Sequence, residues 1–409
     1  MVSIEQETQR IVLPGFATAH SHAFQRALRG RTQRRVGEPG SFWSWRGLMY
    51  RLVEKLTPET LFDLSRFAFV ELALSGVTAV GEFHYVHHQA DGTPYDERTL
   101  LADTVVRAAR EAGIRITLIR TAYLRAGYKQ ELEPGQRRFV DPGVEPVLRD
   151  VETLRQRYRD DPLVTVALAA HSIRAVPIEA VCELAGYART HGLPFHMHVA
   201  EQRREIEECV AEYGKPPVEL LAEHGVLGSN FVAVHATHLE PHEIQLLGQA
   251  RAFVCLCRTT ERDLGDGLPE TSELLDAGVR LCVGVDSHAS SDAFEELRAV
   301  ELDERTRTER RTVAAEAPDL LEMGTRGGLE ALGLAETFGQ DQMFLNANDP
   351  SVVGASEAFL ADAVVFGATP RAVQQVQVAG KTVVQEGTHR GYDEARTAYA
   401  AALEELGLC

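Results

Sequence analysis

The sequence predicts an α/β protein: a (β/α)8 TIM-type barrel carrying a small β-rich accessory domain. Three observations predict it. Eight short, apolar, β-rich runs recur along the first three quarters of the chain, separated by longer amphipathic stretches. Histidines collect at the C-terminal ends of those runs, where a parallel barrel gathers its functional groups. The last quarter changes rhythm, with short β-type runs around Gly380.

The eight runs are 11–17, 77–83, 114–121, 164–170, 194–199, 231–236, 252–256 and 281–285. Each is too short for a helix and too uniformly apolar for an exposed strand, as in a parallel sheet covered on both faces. The stretches between them read as helices. Pro58 suits the first turn of a helix over 59–74, and Gly76 stops it. Further helices fit 99–112 before Gly113, 178–190 after Pro177, and 242–248 after Pro241. Periodicity alone leaves a doubly wound open sheet as the alternative. Residues 296–337 read as helical and charged, with 295–311 a solvated face. Runs 363–366, 373–378 and 381–384 read as a small sheet, and 392–406 as a final amphipathic helix.

Composition narrows the class. The 409 residues carry 42 Lys+Arg against 60 Asp+Glu, a formal net charge of -18, with 44% hydrophobic residues. Collagen-like and wholly disordered chains are thereby excluded. So acidic a chain is expected to bind neither nucleic acid nor an anionic membrane surface. No run approaches the length of a membrane span, and MVSIEQETQR lacks a basic start before an apolar core. A cytoplasmic location is therefore expected. Cys182, Cys209, Cys255, Cys257, Cys282 and Cys409 read as reduced thiols, Cys255 and Cys257 being half a zinc site at best.

The run ends carry chemistry. They read His20-Ser21-His22, Glu82-Phe83-His84-Tyr85, His171-Ser172-Ile173-Arg174, His196-Met197-His198 with Glu201, His235-Ala236-Thr237-His238, and Asp286-Ser287-His288. Neutral imidazoles plus a carboxylate suit one divalent transition metal, zinc first, with a position left for water. Residues two apart on a strand share a side, so His20 and His22 reach one ion. His196 is expected a layer deeper. His84, His87 and His88 read as packing residues, His191, His224 and His242 as solvated, and His238 and His288 as partners that orient a ligand.

These motifs resemble the amidohydrolase superfamily. His171 stands where binuclear members have Lys, and His198-Val199-Ala200-Glu201 resembles the His-x-x-Glu of the mononuclear deaminase branch. Within it the chain is most similar to the N-formimidoyl-L-glutamate deiminase family. That similarity rests on His20-Ser21-His22-Ala23-Phe24-Gln25-Arg26, Ser41-Phe42-Trp43-Ser44-Trp45-Arg46, Glu82-Phe83-His84-Tyr85-Val86-His87-His88, Gly135-Gln136-Arg137-Arg138-Phe139 and Leu264-Gly265-Asp266-Gly267.

The resemblance implies His20, His22, His198 and Asp286 as ligands of one Zn2+ per subunit. It implies Glu201, His235 and Asp286 as catalytic groups that handle protons around the attacking water. Gln25, Arg46, Tyr85, His171 and Arg174 would hold the substrate, the two guanidiniums matching its two carboxylates. The implied reaction is hydrolysis of a small dicarboxylate amidine, N-formimidoyl-L-glutamate, releasing ammonia in histidine degradation. A homodimer is implied too. A deaminase of guanine or a related purine is the alternative, and a metal-binding barrel without catalysis a third reading. The expected division is 11–345 for the barrel with its C-terminal helices, 1–10 and 346–390 for the β-rich unit, and 391–409 for the last helix. The family has several tens of residues before its first strand and this chain about ten, so a trimmed small sheet, built mainly from the C-terminal segment, is expected.

Overall fold

The computed structural model describes residues 4–6, 9–34 and 42–408. Ser41 of the aromatic motif, Cys409, and residues 1–3, 7 and 8 of the expected N-terminal unit lie outside them. Two short strands come first, β1 (Glu5–Gln6) and β2 (Arg10–Pro14). Eight parallel strands follow: β3 (Phe16–Ser21), β4 (Val77–His84), β5 (Arg115–Ala122), β6 (Val164–Ala170), β7 (Phe195–Val199), β8 (Phe231–His235), β9 (Phe253–Leu256) and β10 (Arg280–Val283). They are hydrogen-bonded in chain order. Just past β10, Asp286 forms a parallel bridge with Ser21, so the last strand returns to the first and the sheet curls into the barrel.

Helices cover the outside because the strands leave no solvated face: β4 and β5 are buried along their whole length. The helix Pro58–Leu74 starts on a Thr57–Thr60 capping box with Pro58 in the first turn. Gly76 then takes φ +90°, a left-handed conformation that turns the chain directly into β4. The helices Leu100–Ala112, Ile178–Thr190 and Pro241–Gln249 fall where their flanking Gly and Pro place them. No helix among the described residues is long and apolar enough to cross a membrane.

The accessory sheet has six strands, in the order β1, β2, β11 (Gln342–Asn346), β12 (Val373–Val378), β13 (Lys381–Gln385) and β14 (Thr388–His389). Three expectations change here. The apolar run 11–17 is not one strand; Pro14-Gly15 breaks it, sending β2 into the small sheet and β3 into the barrel. Strand β11 runs across the expected boundary at 345/346. Residues 363–366 lie in a helix, Leu360–Gly367, not a strand. That apolar run is buried by other helices, where helical periodicity serves as well as β pairing. The charged stretch likewise divides into helices Ala293–Thr308 and Ala317–Glu322 and a continuing turn to Ala331. The last helix, Tyr392–Glu405, packs on Pro58–Leu74.

One ion pair joins the two sheets. Arg115, at the start of β5, donates from Nε to Asp341 Oδ2 at 2.7 Å and from Nη2 to Oδ1 at 2.9 Å. Both side chains are buried. Asp341 also accepts from Ala379 N–H, and its carbonyl accepts from Gly15 N–H. Removing the guanidinium leaves a buried carboxylate uncompensated. Arg115→Ala should cost about 3–5 kcal/mol of stability, measured by denaturant unfolding; a loss under 1 kcal/mol would show that the joint contributes little.

Candidate active site

The site is assembled at the C-terminal end of the barrel. His20 and His22 follow each other on the end of β3, and β10 holds Asp286 against them. Asp286 N–H donates to His20 O at 3.1 Å, and His22 N–H donates to Asp286 O at 2.9 Å. Asp286 takes φ 50°, a left-handed conformation uncommon outside glycine, and the two backbone bonds hold it there.

Four side chains converge. His20 Nε2 lies 3.2 Å from His22 Nε2 and 3.1 Å from His198 Nε2. Asp286 Oδ1 lies 3.5 Å from His20 Nε2 and 3.4 Å from His22 Nε2. Such separations suit donors held about 2 Å from a common centre. His22 Nδ1 donates to Phe83 O and His198 Nδ1 to His171 O, each at 3.0 Å. Those bonds fix tautomers whose Nε2 lone pairs point inward. Burial pushes all three imidazoles down, His22 to about 3, so they are neutral. A neutral His20 can donate from Nε2 to only one of its two neighbours at a time, so one lone pair stays unmet; a cation fits the whole set.

Beside this cluster sit Glu201 and His235. His235 Nε2 is 3.8 Å from Glu201 Oε1 and 3.6 Å from Asp286 Oδ2, and Nδ1 is 3.4 Å from Glu261 Oε1. Burial alone lowers the His235 pKa, but the carboxylates of Glu201, Glu261 and Asp286 outweigh it and hold it up to about 10. Burial raises Glu201, partly offset by His235. The pair therefore retains a proton. Glu205 Oε1 accepts from Ala200 N–H at 3.2 Å, where Ala200 takes φ 52°, and so steadies the turn that presents Glu201.

Above lies a cleft of about 700 Å³, counted to its open mouth. Its walls are aromatic: Trp43 and Tyr50 from the helix Phe42–Lys55, Tyr85, Tyr123 and Phe139. Gln25 Nε2 donates to Tyr85 Oη at 2.8 Å, and its Oε1 is buried without a partner among the described residues. Arg46 stacks over Trp43, 4.6 Å from the ring centroid, and donates from Nη2 to Glu133 Oε1 at 3.1 Å. Its Nη1 is buried without a partner among the described residues. Arg174 Nη1 donates to Tyr123 Oη and Ala126 O. Among the described residues no carboxylate pairs with Arg174. His171 stands between Tyr85 and Tyr123, edge-on to both rings.

Ten of the eleven expected site residues line this cleft, and His20 lies buried behind them against His22 and His198. His196 does not join them; its Nε2 bonds to Ala331 O at 3.0 Å, a layer deeper. His87 and His88 pack against Arg120 and Asp141. His288 bonds to none of the four expected ligands' side chains; its Nε2 lies 2.9 Å from Ser21 Oγ and its Nδ1 3.1 Å from Ser291 Oγ. Glu261, Glu205, Tyr50 and Tyr123 were not singled out by sequence. Glu261 follows Arg258 at ordinary ion-pair spacing, and the aromatics carry no motif, so only the fold reveals them.

This arrangement of imidazoles and an aspartate at the mouth of a parallel barrel defines a metal-dependent hydrolase. The profile of the amidohydrolase family matches residues 11–383, and the chain belongs to that family. It is 37% identical to formimidoylglutamate deiminase of Pseudomonas aeruginosa, over 97% of this chain and 89% of that protein. It is 29% identical to 8-oxoguanine deaminase of the same organism, over 95% of this chain and 85% of that protein. A solved amidohydrolase from Brucella melitensis superposes with a TM-score of 0.90 at 32% identity, covering 99% of this chain and 96% of that one.

The loop after β10 is held from behind by Glu71. Its carboxylate accepts from Arg26, Arg29 and Ser291, and Arg29 also donates to His288 O at 2.6 Å. Burial raises the Glu71 pKa, but the hydrogen bonds and charges of Arg26 and Arg29 outweigh it and bring it down to about 2. The folded value lies below the unfolded one near 4.5, so the contribution is complete above that pH and fades as pH falls towards 2. Glu71→Gln should therefore destabilise by about 1–3 kcal/mol at pH 7. Denaturant midpoints should show that gap narrowing below pH 4.5; a pH-independent gap would contradict the ion-pair origin.

Proposed function

We propose that the chain hydrolyses N-formimidoyl-L-glutamate to N-formyl-L-glutamate and ammonia. One observation carries this reading: Arg46 and Arg174 line the same cleft as Glu201 and His235. A purine pocket needs aromatic walls but no clamp for two carboxylates; this cleft has both.

Under this reading His20, His22, His198 and Asp286 hold one divalent ion, zinc being the choice that three neutral imidazoles and one carboxylate suit best. When bound, such an ion lowers the pKa of water to about 7 and supplies hydroxide near neutral pH. The chain's own groups do the rest. Arg46 and Arg174 fix the two carboxylates, and Gln25, Tyr85 and His171 position the formimidoyl group over the floor. Asp286 takes up the water proton, and His235, held charged by the carboxylates around it, orients the hydroxide. Glu201, kept protonated by burial, delivers a proton to the departing nitrogen so that it leaves as ammonia. Water supplies the oxygen of the new C=O bond as the C=NH bond is lost.

We further propose a cytoplasmic homodimer, on the strength of the family resemblance; sedimentation would reveal the assembly. Ammonia release from N-formimidoyl-L-glutamate should be lost on chelation and return on adding zinc. A panel including guanine and 8-oxoguanine tests the competing reading. Faster turnover of a purine would overturn the dicarboxylate assignment.

Variants separate the roles. Glu201→Gln should lower kcat by about 10²-fold or more with the fold and metal content retained. Arg174→Ala should instead raise KM for the dicarboxylate, by about tenfold for each 1.4 kcal/mol of lost binding. An unchanged KM would remove Arg174 from substrate recognition.

A further inference from the structure

We infer that the site contains a second cation position, formed by His235, Cys257 and Asp286, which takes a thiophilic divalent ion and inhibits hydrolysis when filled. This rests on the reading above, in which the first ion sits on His20, His22, His198 and Asp286.

The geometry begins with Asp286. Its two oxygens face different groups. Oδ1 lies 3.4–3.5 Å from the Nε2 atoms of His22 and His20, whereas Oδ2 lies 3.6 Å from His235 Nε2. A carboxylate so placed can bridge two ions. The third donor is Cys257, the first residue past β9. A ring nitrogen of His235, the Cys257 sulfur and an Asp286 oxygen all lie within 4.8 Å of one another, and all three residues are buried. His235 and Cys257 also share an anchor. Glu261 Oε1 accepts from Cys257 N–H at 2.9 Å and lies 3.4 Å from His235 Nδ1, which leaves His235 Nε2 directed at the cluster.

The donor set selects its ligand. Sulfur, imidazole nitrogen and one carboxylate oxygen suit zinc or cadmium; magnesium and calcium call for oxygen donors throughout. Cys257 takes no part in the hydrolysis, so nothing in that chemistry explains a thiol at this point. Filling the position forms a metal–sulfur bond as the thiol proton leaves to solvent. Any proton on His235 Nε2 leaves too, and no electrons are transferred. With Nε2 engaged, His235 no longer exchanges protons with Glu201. Excess metal should then lower turnover while the first ion stays in place.

The test uses the full chain loaded with one equivalent of zinc and titrated with cadmium. The expected result is retention of that zinc and uptake of one cadmium at this position. An ultraviolet thiolate-to-cadmium band should appear, and ammonia release should fall by about 10²-fold. Cys257→Ser should keep the basal turnover, lose the band and resist inhibition; Cys257→Ala serves where the serine variant does not fold. Equal inhibition of wild type and variant would overturn the inference, as would cadmium displacing the zinc. Failure of the protein to retain even one zinc would instead sink the first-ion reading, so the two failures are distinguishable.

Discussion

The junction of β3 with β10 is the constraint on which the site depends. Ser21 and Asp286 pair across it, and backbone bonds on either side lock His20 and His22 to Asp286. One contact therefore closes the barrel and sets three of the four converging donors. The fourth, His198, needs only the next layer of the same scaffold: β7 brings it within 3.1 Å of His20. Neutral imidazoles in a dry floor are costly to bury unless something accepts their lone pairs. Fold closure and the donor cluster are thus coupled, because the strand register that completes the sheet also gathers donors that a single cation would satisfy together.

Behind that junction lies a buried supporting network. Glu82 accepts from Ser21 Oγ at 2.6 Å and from Ala23 N–H at 2.9 Å. Burial pushes its pKa up to about 8 despite those bonds. His288 reaches the same serine from the far side, and Arg29 and Glu71 hold the His288 loop. The left-handed residues cluster here as well, at Ala200, His235, Ala236, Asp286 and His288. Strained turns at strand ends aim side chains inward, and the buried network around them keeps them there.

The sequence showed the barrel because parallel strands buried on both faces leave uniform apolar runs, and because Gly76, Gly113 and the prolines punctuate the helices. The site was legible for a related reason: run ends map to one face, so His20, His198, His235 and Asp286 could be gathered without coordinates. Two kinds of information were not legible. Residues 11–17 read as one run because apolarity does not distinguish two sheets; only the pairing of β2 with β11 does. Residues 363–366 were read as a strand because four apolar residues in a row fit either state. Partners such as Glu261 and Tyr123 stayed hidden because their roles arise from contacts across the barrel.

Charge gives the last constraint. A chain of net charge -18 repels a dianion at long range, so recognition must come from local cations at short range, where pairing geometry outweighs the distant field. The two arginines are unequal in this respect. Arg46 rides on the helix Phe42–Lys55 and shares its charge with Glu133, a half-exposed carboxylate that a substrate can displace. Arg174 follows the end of β6, is steadied by Tyr123 and the Ala126 carbonyl, and pairs with no carboxylate among the described residues. An anion bound at Arg174 gains a cation that no carboxylate among the described residues neutralises, whereas one bound at Arg46 must first replace Glu133. Under the proposed function the deeper arginine would anchor the substrate and the outer one would select it, which would place the discriminating step at the mouth of the cleft rather than at its floor.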